Sequence, residues 1–138
     1  MVGCKVEFFY DGDTRSTMKL QEQIAQYAAR RGMMVSFHGT PTPTGLRRKW
    51  PNIVSYEAVD GNEDYFTGGW NNTGTDPGYN GLLSIMRNAV GPMDYTICEF
   101  RQGNSGSGPS RDNTSWAQQL SQIACFESGN QWFSDAVE

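Results

Sequence analysis

A segment able to cross a membrane is missing from this sequence. No apolar run approaches the roughly 18 residues that a spanning helix needs, so no membrane partner is expected. The opening MVGCKVEFFYDGD lacks a charged stretch followed by a long apolar one. It does not read as a secretory signal as it stands, and localisation stays unassigned. Positive charge is scarce as well. Eleven Lys and Arg stand against 15 Asp and Glu, a formal net charge of −4. Nucleic acid is not expected as a partner, because phosphate binding needs a basic face. The one dense basic run, Arg47-Arg48-Lys49, reads as solvated loop charge. Cysteines are few and odd in number: Cys4, Cys98 and Cys125. That argues against a disulfide framework, and their apolar neighbours suggest buried, inert thiols. No Cys-x-x-Cys or Cys/His cluster invites zinc. No GxGxxG or Walker loop follows the first expected strand, and GNSGSG lacks the Lys-Ser/Thr ending of a phosphate loop, so it reads as linker.

What is present is enough for a core. The 138 residues are 37% hydrophobic and 12% aromatic, and a single domain over 1–138 is the expectation. Val2–Tyr10 is apolar, β-branched and aromatic, and ends in the turn-like Asp11-Gly12-Asp13, so it predicts a strand. Leu20, Ile24, Tyr27 and Ala28 fall on one helical face. Asp13, Thr14 or Ser16 is placed to cap that helix and Gly32 to end it. Met33–His38 and Asn52–Val59 predict two more strands. The Gly-, Asn- and Thr-rich Asp60–Asn80 predicts a long loop. Leu82, Ile85, Met86 and Ala89 predict a helix stopped by Gly91-Pro92. Tyr95–Phe100 predicts a fourth strand and Gly103–Asn113 a flexible segment. Trp116, Leu120, Ile123 and Ala124 mark a last helix, and Gln131–Phe133 begins a fifth strand. Strands alternating with helices or long excursions imply parallel pairing through crossovers. An open doubly wound sheet and part of a β/α barrel both fit. The chain starts almost inside a strand and stops abruptly after DAVE, so truncation of a longer unit is expected.

In such folds ligands meet the carboxyl ends of the strands. Glu7, His38, Glu57, Asp60, Glu63 and Glu99 lie at or near those ends, and Asp94 precedes the fourth strand. A carboxylate within an apolar strand costs free energy unless it is paired or useful. Glu7 is therefore a candidate, against the plainer reading of a solvent-facing edge residue. Glu63 in its loop and His38 by itself have plain readings too: a solvated acid and a hydrogen-bonded structural histidine. Asp11 and Asp13 read as turn and cap. Two acids on one cleft suit glycoside hydrolysis. One protonates the leaving oxygen, and the other attacks carbon or activates water. Trp50, Tyr65, Phe66 and Trp70 would be aromatic platforms for a sugar, or ordinary loop anchors.

Several longer motifs are more specific. HGTPTPTGLRRKWPNIVSYEAVDGNE, MRNAVGPMDYT, CFESGNQWFSD and the KVEFF strand occur in the order and spacing of corresponding segments of glycoside hydrolase family 97, which the chain resembles. The resemblance implies a partial (β/α)8 TIM barrel, about the second half of the catalytic barrel, with four to five parallel strands. It implies cleavage of α-galactosides or α-glucosides with help from calcium. Glu63 falls on the family's proton donor. Glu7 falls on the strand aspartate that retaining members use as nucleophile. Glu57, with Glu63, falls on calcium-ligand positions. Gly39 stands where inverting members carry a base, so retention is implied, with Glu7 and Glu63 carboxyls roughly 5–5.5 Å apart. His38 and Asp94 are assigned to the sugar pocket by position. This chain departs from the motifs at Glu7 (Asp in the family), Tyr56 (Arg) and Pro77-Gly78-Tyr79 (Pro-Glu-His). The rival reading is a non-catalytic barrel fragment or interaction module. It would self-associate, or pair with a separate barrel half, because open sheet edges recruit partners.

Overall fold

A computed structural model gives the arrangement of residues 2–9, 12–62, 76–98 and 114–133. Its centre is a parallel sheet of β1 (Gly3–Val6), β2 (Met34–Phe37) and β3 (Ile53–Tyr56), in that order. Helix α1 (Arg15–Ala29) makes the crossover from β1 to β2. Thr14 caps it through its side-chain oxygen, which accepts from the Thr17 N–H. Of the three candidate caps, Thr14 has the extended backbone that a cap requires.

Alternation along the strands separates two faces. Val35 and Phe37 join Ile53, Tyr56 and the α1 residues Ala25 and Ala28 in one buried cluster. Cys4, Val6 and Phe9 pack against it from β1. The intervening residues Lys5, Ser36 and His38 therefore belong to the opposite face. A register shift after the Val35–Ile53 pair leaves Val54 as an extra residue on β3. That bulge resets the alternation. Ser55 meets Ser36, oxygen to oxygen at 2.8 Å, and Tyr56 packs on Phe37 with ring centroids 5.4 Å apart.

The strands are shorter than the apolar runs that announce them. Positive φ at Phe8 (63°) and Ala58 (46°) bends the chain away just past β1 and β3, which no periodicity reveals. The expected fourth and fifth strands are reduced to two parallel bridges, Tyr56 with Met93 and Ile97 with Phe133. Thr96 and Cys98 have φ of 57° and 61°, incompatible with a continuous strand. The strands pair in parallel as expected, but among the described residues three are regular where four to five were expected. Residues 99 and 100 of the fourth expected strand lie outside the described residues.

Helix α2 (Pro77–Met86) begins within the stretch expected to be loop, with Asp76 as its cap and Pro77 at its first position. Helix α3 is Trp116–Cys125, capped by Ser115. Both present an unexpected side to the interior. Leu82, Ile85 and Met86 are 52%, 74% and 63% exposed, as are Trp116, Leu120 and Ile123 in large part. Asn80, Leu83 and Arg87 are buried instead, with Gln119 and Gln122 of α3. The expected face of α1 is split: Leu20 and Tyr27 face out, while Ala28 is buried and Ile24 packs on the core, beside the buried Thr17, Gln21 and Ala25. Several of the inward polar groups find partners, while the Asn80 side-chain amide has none among the described residues. Gln21 Nε2 donates to Thr40 Oγ1, Asn62 Nδ2 reaches Gln119 and Gln122 Oε1 at 3.2 and 3.4 Å, and Gln122 Oε1 also accepts from Cys98 N. A stripe drawn from apolarity alone misses such pairings. The second buried cluster is Leu83, Met93, Tyr95, Ile97, Cys98 and Phe126. None of the three cysteines forms a disulfide, and Cys98 is buried as expected, but Cys4 is half-buried and Cys125 exposed.

Candidate active site

The ends of β2 and β3 and the start of the 93–97 segment bring three ionisable side chains together. His38 follows β2, Glu57 follows β3, and Asp94 sits beside the Tyr56–Met93 bridge, its N–H donating to Tyr56 O at 2.9 Å. His38 Nε2 lies 2.6 Å from Asp94 Oδ2, and its Nδ1 lies 3.2 Å from Glu57 Oε1. A neutral imidazole has one N–H and satisfies only one of these carboxylates. Facing two requires the doubly protonated ring. Burial opposes that charge most strongly. The hydrogen bonds from Asp94 and then Glu57, with the charges of both acids, outweigh it and push the His38 pKa up to about 9. The ring is 2% exposed and Asp94 is fully buried.

The carboxylates reach further. Asp94 Oδ1 accepts from Trp132 N at 3.1 Å, and Glu57 Oε2 accepts from Gly39 N at 2.6 Å. Arg87 holds the backbone beneath. Its guanidinium donates to the carbonyls of Tyr56, Glu57, Gly91 and Pro92 at 3.0–3.4 Å. Burial lowers its pKa to about 10, against smaller opposing effects from Tyr79 and Glu127.

Glu7 lies just past β1, exposed and ion-paired with Lys5 two residues before it. The Lys5 ammonium also stands 6.0 Å from the centre of the Trp132 ring, within cation–π range. Glu63 lies outside the described residues, so its spacing from Glu7 is not part of the geometry seen here. The chain leading to it is held at Asn62, whose N–H donates to Tyr95 O at 3.0 Å. Gly61 permits that approach, since a Cβ there would stand 2.7 Å from Tyr95 O. Asp60 is exposed, with its N–H donating to the Tyr79 hydroxyl. Trp50 serves as an anchor: it packs on the α1–sheet cluster, and its indole N–H reaches Glu22 Oε1. Tyr65, Phe66, Trp70 and Glu99 are outside the described residues.

Calcium takes 6–8 oxygen ligands. Among the described residues Glu57 is the one expected ligand present, and both its oxygens already meet N–H groups. No group of three or more acids, histidines or cysteines with a metal-holding arrangement occurs among the described residues. These residues by themselves do not fit a calcium ion. Neither is any described helix long and apolar enough to cross a membrane.

The sequence profile of Glycoside hydrolase 97 matches residues 1–59. This chain is a relative of the glycoside hydrolase family 97 enzymes. It is 30% identical over 130 residues to a "Probable retaining alpha-galactosidase" of Streptomyces bingchenggensis, covering 94% of this chain and 18% of that protein. It is 31% identical over 106 residues to the "Retaining alpha-galactosidase" of Bacteroides thetaiotaomicron, covering 76% and 15%. The chain thus spans less than a fifth of the length of these curated relatives. In structure it resembles a beta-arabinopyranosidase, with a TM-score of 0.77 and 30% identity over 98% of this chain and 22% of that one. It also resembles a family 97 enzyme of Pseudoalteromonas sp. strain K8 in complex with panose. That TM-score is 0.68, with 25% identity over 81% of this chain and 17% of that enzyme.

Three contributors to the site were not singled out from the family motifs: Lys5, Arg87 and Trp132. Lys5 and Arg87 stand inside the KVEFF and MRNAVGP segments. Lys5 stands two residues before Glu7, a usable signal, whereas Arg87 has no acid next to it in sequence. Trp132 contributes a main-chain N–H, for which no sequence signal exists.

Proposed function

We propose that this chain carries part of the active site of a retaining α-glycosidase acting on terminal α-galactosides or α-glucosides, within a partial (β/α)8 barrel. The observation that carries the reading is the gathering of Glu57, His38 and Asp94 at the carboxyl ends of parallel strands, in a relative of glycosidases. In this reading Glu63 protonates the glycosidic oxygen as Glu7 attacks the anomeric carbon. The sugar is then carried covalently on Glu7. Glu63 deprotonates the water that releases it, with net retention. The exposed position of Glu7 past β1 suits a nucleophile, and Lys5 gives it a counter-charge. His38 and Asp94 are assigned to the sugar pocket. Their burial favours a role as its floor, shaping the wall rather than meeting bulk water. A calcium requirement would rest on Glu57, Glu63 and donors beyond the described residues, and no step is assigned to it. An oligosaccharide is the natural substrate class, since the Pseudoalteromonas relative binds panose.

The test is hydrolysis of nitrophenyl α-galactoside and α-glucoside by the full chain, followed by NMR of the first-formed anomer. Glu63→Gln is expected to lower turnover by about 10²–10⁴-fold, and Glu7→Gln at least as far. Hydrolysis that survives both substitutions, or an inverted product, would defeat the proposal.

A second reading is favoured by the apolar rows on α2 and α3. Ile85, Met86, Trp116 and Leu120 are all more than half exposed. In addition, β1 has no further strand on its outer side among the described residues. An interaction module that self-associates, or that pairs with a separate barrel half, would cover these surfaces. Sizing chromatography separates the two: a monomer that hydrolyses the galactoside speaks against the module.

A further inference from the structure

Gly39 sits where two parts of the site touch. Its φ is +51°, in the left-handed region that favours glycine. A Cβ built there would stand 3.0 Å from Phe8 N and 3.3 Å from Phe8 Cα. Its carbonyl accepts from Phe9 N at 3.0 Å, which ties down the chain just beyond Glu7. Its N–H donates to Glu57 Oε2 at 2.6 Å. Contacts then run on without a gap. Glu57 Oε1 meets His38 Nδ1, His38 Nε2 meets Asp94, and Asp94 Oδ1 accepts from Trp132 N. The Trp132 ring lies near Lys5, and Lys5 pairs with Glu7. The path that leaves Gly39 thus ends at Glu7, one residue before the Phe8 that Gly39 lies against.

We infer that Gly39 is a positioning residue that fixes the place of Glu7 relative to the Glu57–His38–Asp94 cluster, because only a residue without a side chain lets the end of β1 lie against it. The inference rests on the proposed role of Glu7 for its effect on turnover, but its structural half stands without that role. Steric pressure and backbone strain act together at position 39. Gly32 separates them. It has φ of +65°, yet a Cβ there would meet nothing within 4 Å. Gly32→Ala therefore carries the strain without the collision.

The experiment compares the full chain with Gly39→Ala and Gly32→Ala. The chain has a single histidine, so downfield imidazole N–H signals in the proton NMR spectrum are unambiguous. Gly39→Ala is expected to displace or lose the Nδ1–H signal, which reports Glu57, and to shift the Glu7 and Phe8 amides. Gly32→Ala is expected to leave all of them in place. Should Gly39→Ala not fold, Gly39→Asn brings the same Cβ against Phe8 in a residue type more tolerant of positive φ and is read the same way. On nitrophenyl α-galactoside, Gly39→Ala should lower kcat by about 10²-fold, the scale of an active-site displacement near 1 Å, with KM little changed. Imidazole and Glu7 signals that match the unsubstituted chain would overturn the inference. So would a kcat within about twofold of it while Glu7→Gln is inactive. Loss of the His38 signal together with full activity in Glu7→Gln would instead sink the role of Glu7 and leave the positioning of the strand end intact.

Discussion

His38 is charged because two acids surround it, and this has a consequence for stability. Its pKa rises from 6.5 when unfolded to about 9 in the fold. A group whose pKa is raised by folding stabilises the fold fully below the unfolded value. It loses that contribution as pH climbs through the folded value. The window therefore runs from about 6.5 to about 9, and the amount at stake is on the order of 3 kcal/mol. Thermal melts should show a lower Tm at about pH 10 than near pH 6, and His38→Gln should flatten that difference. A slope that persists in the variant would place its origin elsewhere. Arg87 carries a different burden: its one buried guanidinium donates to four main-chain carbonyls. Arg87→Met removes one donor from each, although Tyr56 O keeps Asp94 N, Pro92 O keeps Tyr56 N and Gly91 O keeps Asn88 Nδ2, and should cost about 1–3 kcal/mol in urea unfolding. Arg87→Lys should restore only part, since an ammonium lacks the planar fork. Equal stability of the methionine variant would show the carbonyls satisfied by other means.

The helices show how burial and apolarity part company at the level of whole elements. On α1 the residues Thr17, Gln21, Ala25 and Ala28 form the buried row. Their spacing is as helical as the apolar row that the sequence advertises, displaced by about one residue. Both rows were visible in the sequence. What selected between them was the set of polar partners, Thr40 for Gln21 and Asn62 for Gln119 and Gln122, which lie 19 to 60 positions away. Two predictions belong at this scale. Ile85→Gln, at a side chain 74% exposed, should change stability by no more than about 0.5 kcal/mol. Phe37→Ala, at the centre of the sheet–α1 cluster and fully buried, should cost about 3–5 kcal/mol. Reversed magnitudes in chemical denaturation would mean that α2 buries its apolar row after all. The strand positions were legible because Val35, Phe37 and Ile53 sit in apolar runs. Their ends were not, because a positive φ at Phe8 or Ala58 follows from packing rather than residue type.

For the molecule as a whole, the alternation of strand and helix signals pointed to a parallel β/α arrangement, and the motifs to a family. The order β1-β2-β3 and the two bridges beyond it agree with that arrangement. Sequence by itself determined the crossover connectivity, since parallel strands need an intervening element to return the chain to the same end of the sheet. It also determined which acids lie near strand ends: Glu7, Glu57 and Asp94 are adjacent to strand residues by position alone. The tertiary structure decided which of these meet. Glu57 and Asp94 share one histidine while Glu7 pairs with Lys5, because the register of neighbouring strands, the bulge at Val54 and the close approach at Gly39 set distances that span up to 56 positions of sequence. Register is a property of several strands at once, and no single segment encodes it.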